Sequence, residues 1–348
     1  MHTCMVVCLY IISKENFVKK NLIILVVLSL LLSGNIFAGG QQEGGDASMA
    51  QATKLFIAGT SGKEDTQSMG HFDYAERLNA TGAFAAEVKI NAVMGETDDV
   101  TEQAIQGVPV INATDPGRLA AYVPEFGLVQ MPYLLPDYTY LNKIRDTKLY
   151  AKWDKDFQEK GLKLVTVNGY SGVRSWVTDF PVTTPADLKG VKIRTIGSDL
   201  FVNSVNAMGA IATALPWAET YQGMEQGVVD GCEAQIPGIY SMRFYEIKSY
   251  VSLSEHFTLI ASMVTGTKFF DGLSAENQTI LLDTAFDAYK DNQEVVVSKS
   301  KDYIKEMEAA GVTFLEIDKT PFVDAVQSVY VDMGFSELKD DLYAELGL

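Results

Sequence analysis

The sequence has few residues of the kinds that carry covalent or metal chemistry. Three of its 348 residues are cysteine and three are histidine. Cys4 and Cys8 precede an N-terminal apolar run, so Cys232 stands alone in the remainder and a disulfide framework is excluded. His71 and His256 have no cysteine or acid at metal-ligand spacing. GxGxxG and nucleophile-elbow motifs are also missing. The sequence therefore predicts no cofactor and no metal site, and it contains no recognisable catalytic machinery.

Positive charge is also scarce. Lysine and arginine together number 28 against 45 acidic residues, which gives a formal net charge of −17. Nucleic acids and anionic membrane surfaces repel such a chain, so neither is expected as a partner.

The N-terminus has the order of a secretory signal peptide. Lys19 and Lys20 precede an apolar run, Leu22–Leu32, and the small residues Ala38 and Gly39 follow it. The run is shorter than the roughly 20 residues that span a bilayer, which argues against a membrane anchor. We therefore expect a cleavable signal peptide over residues 1–38 and a flexible glycine-rich leader over residues 39–51.

Strand-like and helix-like segments alternate through the rest of the chain, which predicts an α/β fold with mostly parallel sheets. The chain is long enough for two domains with separate cores. Near the C-terminus, a segment that begins at Ser274 and continues to Ala310 contains no proline or glycine. This pattern predicts either two helices joined near residues 291–292 or one helix of about 54 Å that spans two domains.

Residues 185–194 read PADLKGVKIR and predict a short turn followed by a strand. Thr184 and Asp187 have the spacing of a capping box, and Gly190 can end the turn. The strand that follows places Arg194 on a defined face. From these ten residues alone, Arg194 is either a solvated strand end or a functional side chain.

Arg174, like Arg194, lies in apolar, strand-like sequence, although the chain has only six arginines. The planar guanidinium suits bidentate binding of a carboxylate and stays charged when it is desolvated. A buried arginine needs a partner, which is either a ligand carboxylate or an internal acid. Both possibilities are open at this stage.

The segment ALPWAETYQGMEQGVVDGCEA predicts an amphipathic helix and a following strand. Trp217, Tyr221, Met224 and Val228 have the spacing of one apolar helix face, and Gly227 is placed to end the helix. We expect the residues VVD to form the strand. The Trp217 ring follows a proline and can cover a ligand.

Taken together, these segments resemble the DctP-like solute-binding proteins of tripartite ATP-independent periplasmic (TRAP) transporters. The resemblance rests on TTPADLKGVKIR, on AMGAIATALPWAETYQGMEQGVVDGCEA, on YEIKSYV, and upstream on VPEFGLVQMPYLLPD. It implies a two-domain periplasmic-binding-protein-like fold with a cleft, crossing strands and a long interdomain helix. We expect domain I to comprise residues 52–172 and about 258–298, and domain II to comprise residues 173–257 and about 299–348.

The resemblance also implies a ligand site. Arg194 matches the arginine that clamps the ligand carboxylate in the family, and Arg174 matches a second arginine of the site. Trp217 matches an aromatic residue that lies against the ligand, and Asp115 matches a position that is often acidic. Tyr221 belongs to the same motif as Trp217.

The sequence departs from the family pattern in one place. Ala234 stands where many members have an asparagine that holds the carboxylate, so we expect Glu233 or Gln235 to contribute there instead.

The function implied is capture of an organic acid in the periplasm and its delivery to TRAP membrane permease subunits for ion-driven uptake, without catalysis. Two alternatives remain open at this point. One is an exported enzyme that acts on acidic sugars with Asp115 and Glu233 as acid and base, and the other is a sensory receptor.

Overall fold

A computed structural model describes residues 52–348; the expected signal peptide and leader lie outside the described residues. The strands are β1 (Thr53–Ala58), β2 (Phe84–Lys89), β3 (Val110–Thr114), β4 (Leu162–Thr178), β5 (Lys192–Thr195), β6 (Ile211–Ala214), β7 (Gly231–Gln235), β8 (Tyr250–Gly266) and β9 (Thr313–Glu316). The α-helices are α1 (Thr66–Ala80), α2 (Thr97–Gln106), α3 (Pro116–Leu119), α4 (Leu141–Ile144), α5 (Lys148–Glu159), α6 (Asp199–Ala207), α7 (Thr220–Glu225), α8 (Ile236–Ser241), α9 (Thr267–Phe270), α10 (Ala275–Ala309), α11 (Thr320–Ala325), α12 (Gln327–Asp332) and α13 (Ser336–Leu346). Short 3₁₀ turns cover Pro124–Gln130, Tyr138–Tyr140, Pro185–Leu188, Trp217–Glu219 and Phe244–Glu246.

The strands form one mixed sheet in the order β2-β1-β3-β8-β4-β7-β5-β6, with β9 added to β8. The outer pairs are parallel, as expected for strands that alternate with helices. Most pairings are parallel, as predicted, but at the centre β8 runs antiparallel to β3 and to β4, and β4 runs antiparallel to β7. The sheet is therefore mixed.

Two long strands, β4 and β8, connect the two ends of this sheet. Each has 17 residues, so the two segments LKLVTVNG and VRSWVT are parts of one strand and not two separate strands. Their pairing contains four register irregularities, one of them between Tyr170 and Val173. Such irregularities bend a strand, which allows β4 and β8 to serve two differently oriented parts of the sheet.

The long helix α10 contributes to all three hydrophobic cores. Tyr289 belongs to the core that contains Leu55 of β1, Val296 to the largest core, and Met307 to the core that contains Val177 of β4, here called the second core. The helix has 35 residues and a length of about 52 Å. Of the two possibilities left open by the sequence, the structure has the single long helix. Its first turn is capped by the Ser274 side chain, as expected.

The turn at residues 184–190 is as predicted, whereas the helix after Trp217 is shorter than predicted. Thr184 and Asp187 form the capping box, and Gly190 has φ +83°. Helix α7 ends at Glu225, and Val228 is 48% exposed beyond it. The prediction of an apolar face continuing to Val228 was wrong, as was the placement of the strand on VVD, because β7 begins only at Gly231. None of the helices in residues 52–348 is long and apolar enough to span a membrane.

Candidate functional site

A cavity lies where the ends of several strands meet. The space within it is about 610 Å³ when its open mouth is included. Thr114 and Asp115, at the carboxyl end of β3, line it together with Glu96. Arg174 of β4 and Arg194 of β5 line it as well. Carboxyl ends of parallel strands are the usual place for ligands in α/β sheets.

Arg194 is 1% exposed and keeps one nitrogen free of protein partners. Its Nε and Nη2 both donate to the carbonyl oxygen of Leu215, at 3.0 and 2.7 Å. Its Nη1 is buried and has no hydrogen-bond partner among the described residues. Burial, with the neighbouring charge of Arg174, lowers the pKa of Arg194 to about 10, so the group stays charged at neutral pH.

Arg174 differs from Arg194 because it has an internal acid. Its Nε and Nη2 donate to the carboxylate of Glu233, the latter at 2.8 Å, and its Nη1 donates to Oε1 of Gln235 at 2.9 Å. The antiparallel register of β4 and β7, which sets Arg174 opposite Gln235, brings these side chains together. The structure therefore gives Arg174 a salt bridge to an internal acid, whereas Arg194 has none among the described residues.

Glu233 is the counter-ion of Arg174 and does not line the cavity. It is fully buried, and it also accepts a hydrogen bond from Oγ1 of Thr195 at 2.7 Å. Burial by itself raises the pKa of such a carboxyl, but the charge of Arg174, the neighbouring His256 and the hydrogen bonds of Arg174 together outweigh it and hold the pKa at about 2. Glu233 is thus engaged by Arg174 and Thr195 and is not among the residues that line the cavity with Asp115.

Asp115 lines the cavity and caps the short helix α3. Its Oδ1 accepts from the backbone nitrogen of Arg118 at 2.9 Å, and its Oδ2 lies 3.3 Å from Nε of the same residue. Arg118 also donates to Asp98 at 3.0 Å. Burial raises the pKa of Asp115, and the charges of Arg118 and Arg174 oppose that effect.

Trp217 lines the cavity, and Tyr221 does not. The Trp217 ring lies 5.2 Å from the guanidinium carbon of Arg194, and its Nε1 has no hydrogen-bond partner among the described residues. Tyr221 is half-buried and packs on the second hydrophobic core, because the short helix α7 turns it away from the cavity.

The side chains of β7 alternate between the two faces of the strand. Gln235 lines the cavity, on the face that Glu233 also occupies, whereas Ala234 is fully buried in a hydrophobic core on the opposite face. The amide on the cavity side therefore comes from Gln235.

Several lining residues were not identified from the sequence. Glu96 and Thr97 begin helix α2, and Thr114 precedes Asp115. The Thr114 hydroxyl is buried with no hydrogen-bond partner among the described residues. The sequence pattern of a helix-capping residue is the same whether or not the residue faces a ligand. The only indication of Glu96 in the sequence was therefore an acidic residue immediately before a helix. Residues 52–348 contain no cluster of three or more His, Cys, Asp or Glu suited to a metal ion.

Comparison with known proteins agrees with this architecture. The family model described as bacterial extracellular solute-binding protein, family 7, matches residues 60–337. The ectoine/5-hydroxyectoine-binding periplasmic protein UehA of Ruegeria pomeroyi is 31% identical over 243 residues, which are 69% of this chain and 71% of UehA. The 2,3-diketo-L-gulonate-binding periplasmic protein YiaO of Escherichia coli is 30% identical over 251 residues, 71% of this chain and 73% of YiaO.

A solved structure shows the same fold. The TRAP periplasmic solute binding protein from Ochrobacterium anthropi with bound L-fuconate superposes with a TM-score of 0.78 at 30% identity, covering 85% of this chain and 99% of that one. The predicted two-domain periplasmic-binding fold and the family resemblance are thereby confirmed. The chain belongs to the bacterial extracellular solute-binding proteins of family 7, the DctP-like solute-binding proteins of TRAP transporters.

Proposed function

We propose that this protein captures an organic acid in the periplasm and delivers it to TRAP permease subunits. The observation that carries the proposal is Arg194, a buried guanidinium that lines the cavity with one nitrogen unpaired and no salt bridge to a carboxylate among residues 52–348. Leaving such a donor unsatisfied is costly, and a ligand carboxylate satisfies both its charge and its hydrogen bond.

The carboxylate is proposed to bind between Arg194 and the groups around it. Nη1 of Arg194 donates to one carboxylate oxygen, and the Trp217 indole, 5.2 Å from the guanidinium carbon, covers the pair and excludes water. Gln235 supplies an amide on the same side. Exclusion of water lowers the local dielectric constant and strengthens the charge-assisted bond. The solutes named for the relatives, 2,3-diketo-L-gulonate and L-fuconate, are sugar acids and fit this chemistry.

We propose that capture is accompanied by closure of two lobes. Lobe I is residues 52–172 with about 258–298, and lobe II is residues 173–257 with about 299–348. The boundary on β4 follows Gly172, which has φ +111°, and Val173 pairs with Thr258 of β8, so both long strands cross the boundary at the same level. In a hinge, a few residues at the boundary between the lobes change their φ and ψ angles as the lobes move.

Hydrogen bonds across the same boundary support a closed arrangement. Oδ2 of Asp65 in lobe I accepts from the hydroxyl of Ser241 in lobe II at 3.3 Å. The Tyr303 hydroxyl donates to the carbonyl oxygen of Glu64 at 3.1 Å. Opening of the lobes would break both contacts, so a ligand that contacts both lobes favours the closed state.

The periplasmic location is proposed from the N-terminal signal pattern together with the family, whose named members include periplasmic proteins. Binding without turnover is proposed because Glu233, the second carboxyl that hydrolysis would need, is held against Arg174.

The proposal is tested by calorimetric titration of the purified protein with acids found in a thermal-shift screen of organic acids and their neutral amides. Arg194→Lys is expected to weaken binding at least tenfold, because lysine lacks the planar fork. The matched control is Arg243→Lys, whose exposed side chain pairs with the neighbouring Glu246 and is not among the residues that line the cavity. An unchanged dissociation constant in Arg194→Lys, or binding of the amides alone, contradicts the proposed role.

A further inference from the structure

The two end strands of the sheet, β2 and β6, are preceded by the same short sequence pattern. Residues 79–85 read NATGAFA and residues 206–212 read NAMGAIA. Each stretch starts at the penultimate residue of a helix, α1 or α6, and continues into the end strand. A glycine with positive φ follows each helix, Gly82 at +73° and Gly209 at +101°. The pattern therefore places an asparagine just before each end strand.

At β2, Asn79 occupies the open side of the strand. The carbonyl oxygen of Lys89 accepts a hydrogen bond from the backbone nitrogen of Gly59, which follows β1, so alternate residues of β2 face β1 and the residues between them face outward. Ala86 is one of the outward residues. Its carbonyl oxygen accepts from Nδ2 of Asn79 at 3.0 Å, and its nitrogen donates to Oδ1 of Asn79 at 2.6 Å. The side-chain amide thus makes both hydrogen bonds that a neighbouring strand would make at this residue.

Asn206 has a similar role at β6. The backbone nitrogen of Ile211 donates at 2.7 Å to the carbonyl oxygen of Val191, which precedes β5, so Ala212 faces outward. The nitrogen of Ala212 donates to Oδ1 of Asn206 at 2.9 Å. Among residues 52–348, no further strand pairs with β2 or β6 on its outer side. Each asparagine therefore engages a backbone group that would otherwise be open to another strand.

The two edges differ in charge. β2 contains Glu87 and Lys89, and charged side chains hinder pairing at a sheet edge. β6 has none, because no charged residue occurs between Asp199 and Glu219, and its Ile211 is 48% exposed. An uncharged strand with an exposed apolar side chain favours pairing with an identical strand. β6 therefore depends more on its asparagine than β2 does.

We infer that Asn79 and Asn206 close the two edges of the sheet to a second copy of this chain, and that β6 is the edge through which two copies associate once its asparagine is removed. In the associated form, the β6 strands of the two copies lie side by side. A backbone carbonyl oxygen of one copy then replaces Oδ1 of Asn206 as the acceptor for Ala212 of the other. This inference concerns association of the folded protein and is independent of the solute that the cavity binds.

The test is sedimentation equilibrium of the purified Asn206→Ala variant over a series of protein concentrations. Asn203→Ala is the matched control, because it removes an exposed asparagine from the same helix, α6. We expect the association constant of Asn206→Ala to exceed that of Asn203→Ala at least tenfold. Asn79→Ala should show a smaller increase, since β2 keeps its two charged residues.

A conservative variant and amide hydrogen exchange test the local contact separately. Asn206→Asp keeps an oxygen that accepts from Ala212 and adds a charge to the edge, so it should associate no more than the control. In dilute protein, the protection of the Ala212 amide should fall severalfold in Asn206→Ala and be retained in Asn206→Asp. The inference is overturned if Asn206→Ala associates no more strongly than Asn203→Ala, or if Asn206→Asp associates as strongly as Asn206→Ala. Unchanged protection in Asn206→Ala also overturns it, because the side chain would then not hold the amide.

Discussion

Glu233→Gln removes the carboxylate that forms the salt bridge with Arg174 and should be strongly destabilising. Glutamine keeps the shape of the side chain and can still accept hydrogen bonds, but the fully buried Arg174 is left without a counter-ion and near the like charge of Arg194. Breaking a buried ion pair on one side typically costs about 3–5 kcal/mol. We expect a loss of this size in the free energy of unfolding at pH 7.

The pH dependence of stability reports on the same carboxylate, whose pKa is lowered by Arg174 and His256. The pKa of Glu233 is about 2 in the folded protein against an ordinary value of 4.5. At about 1.4 kcal/mol per pKa unit, this difference corresponds to about 3 kcal/mol of stability. Because the folded-state pKa is lowered, the contribution is fully present above pH 4.5 and is lost as the pH falls from about 4.5 to about 2. The Glu233→Gln variant lacks this contribution at every pH.

The measurement is urea unfolding followed by tryptophan fluorescence at a series of pH values between 3 and 7. Glu125→Gln is the matched control, since Glu125 pairs with Lys152 while both side chains are about half exposed, and such pairs contribute at most about 1 kcal/mol. The reasoning is refuted if Glu233→Gln costs no more than the control, or if the variant and the unchanged protein lose stability equally between pH 4.5 and 3.

Two further substitutions test the walls of the cavity and the support of the long helix. In Gly238→Ala, the new Cβ would lie 2.6 Å from Nε2 of Gln235 and 3.1 Å from the Trp217 ring. We expect the acid to bind severalfold more weakly in calorimetry, because the Gln235 amide must move aside. The free energy of unfolding in urea should fall by less than about 1 kcal/mol, since that amide is free to move. Equal affinity would show that Gln235 does not need its present position. Gln293→Leu should lower the free energy of unfolding by about 1–3 kcal/mol, because the buried carbonyl oxygen of Asn168 loses the Gln293 Nε2 donor that lies 2.9 Å away. An unchanged unfolding midpoint would show that this hydrogen bond does not stabilise the fold.

Local chemistry in the sequence was enough to predict the elements that carry the cavity. The capping box of Thr184 and Asp187, the left-handed Gly190 and the cap at Ser274 depend on residues within a few positions of each other. The ordered motifs also identified the family and the fold class. These features are predictable because helix caps, turns and strand faces are determined over short stretches of chain.

Other features of the site depend on strands that are far apart in the chain. Arg174 and Glu233 are separated by 59 positions, and only the antiparallel register of β4 and β7 brings them into contact. Sequence reasoning left both buried arginines with two possible partners, and it could not say which arginine would receive the internal acid. The same limitation applied to Glu96, whose local pattern is that of an ordinary helix cap.

The sequence alone therefore determined the fold class, the family and the strand position of Arg194. The tertiary structure decided that α10 is one helix, that β4 is one strand, and that Arg194 is the cavity arginine without a salt bridge to an internal acid among the described residues. The physical reason is that hydrogen-bonded turns and periodic burial are local, whereas the neutralisation of a buried charge depends on which distant strand packs beside it.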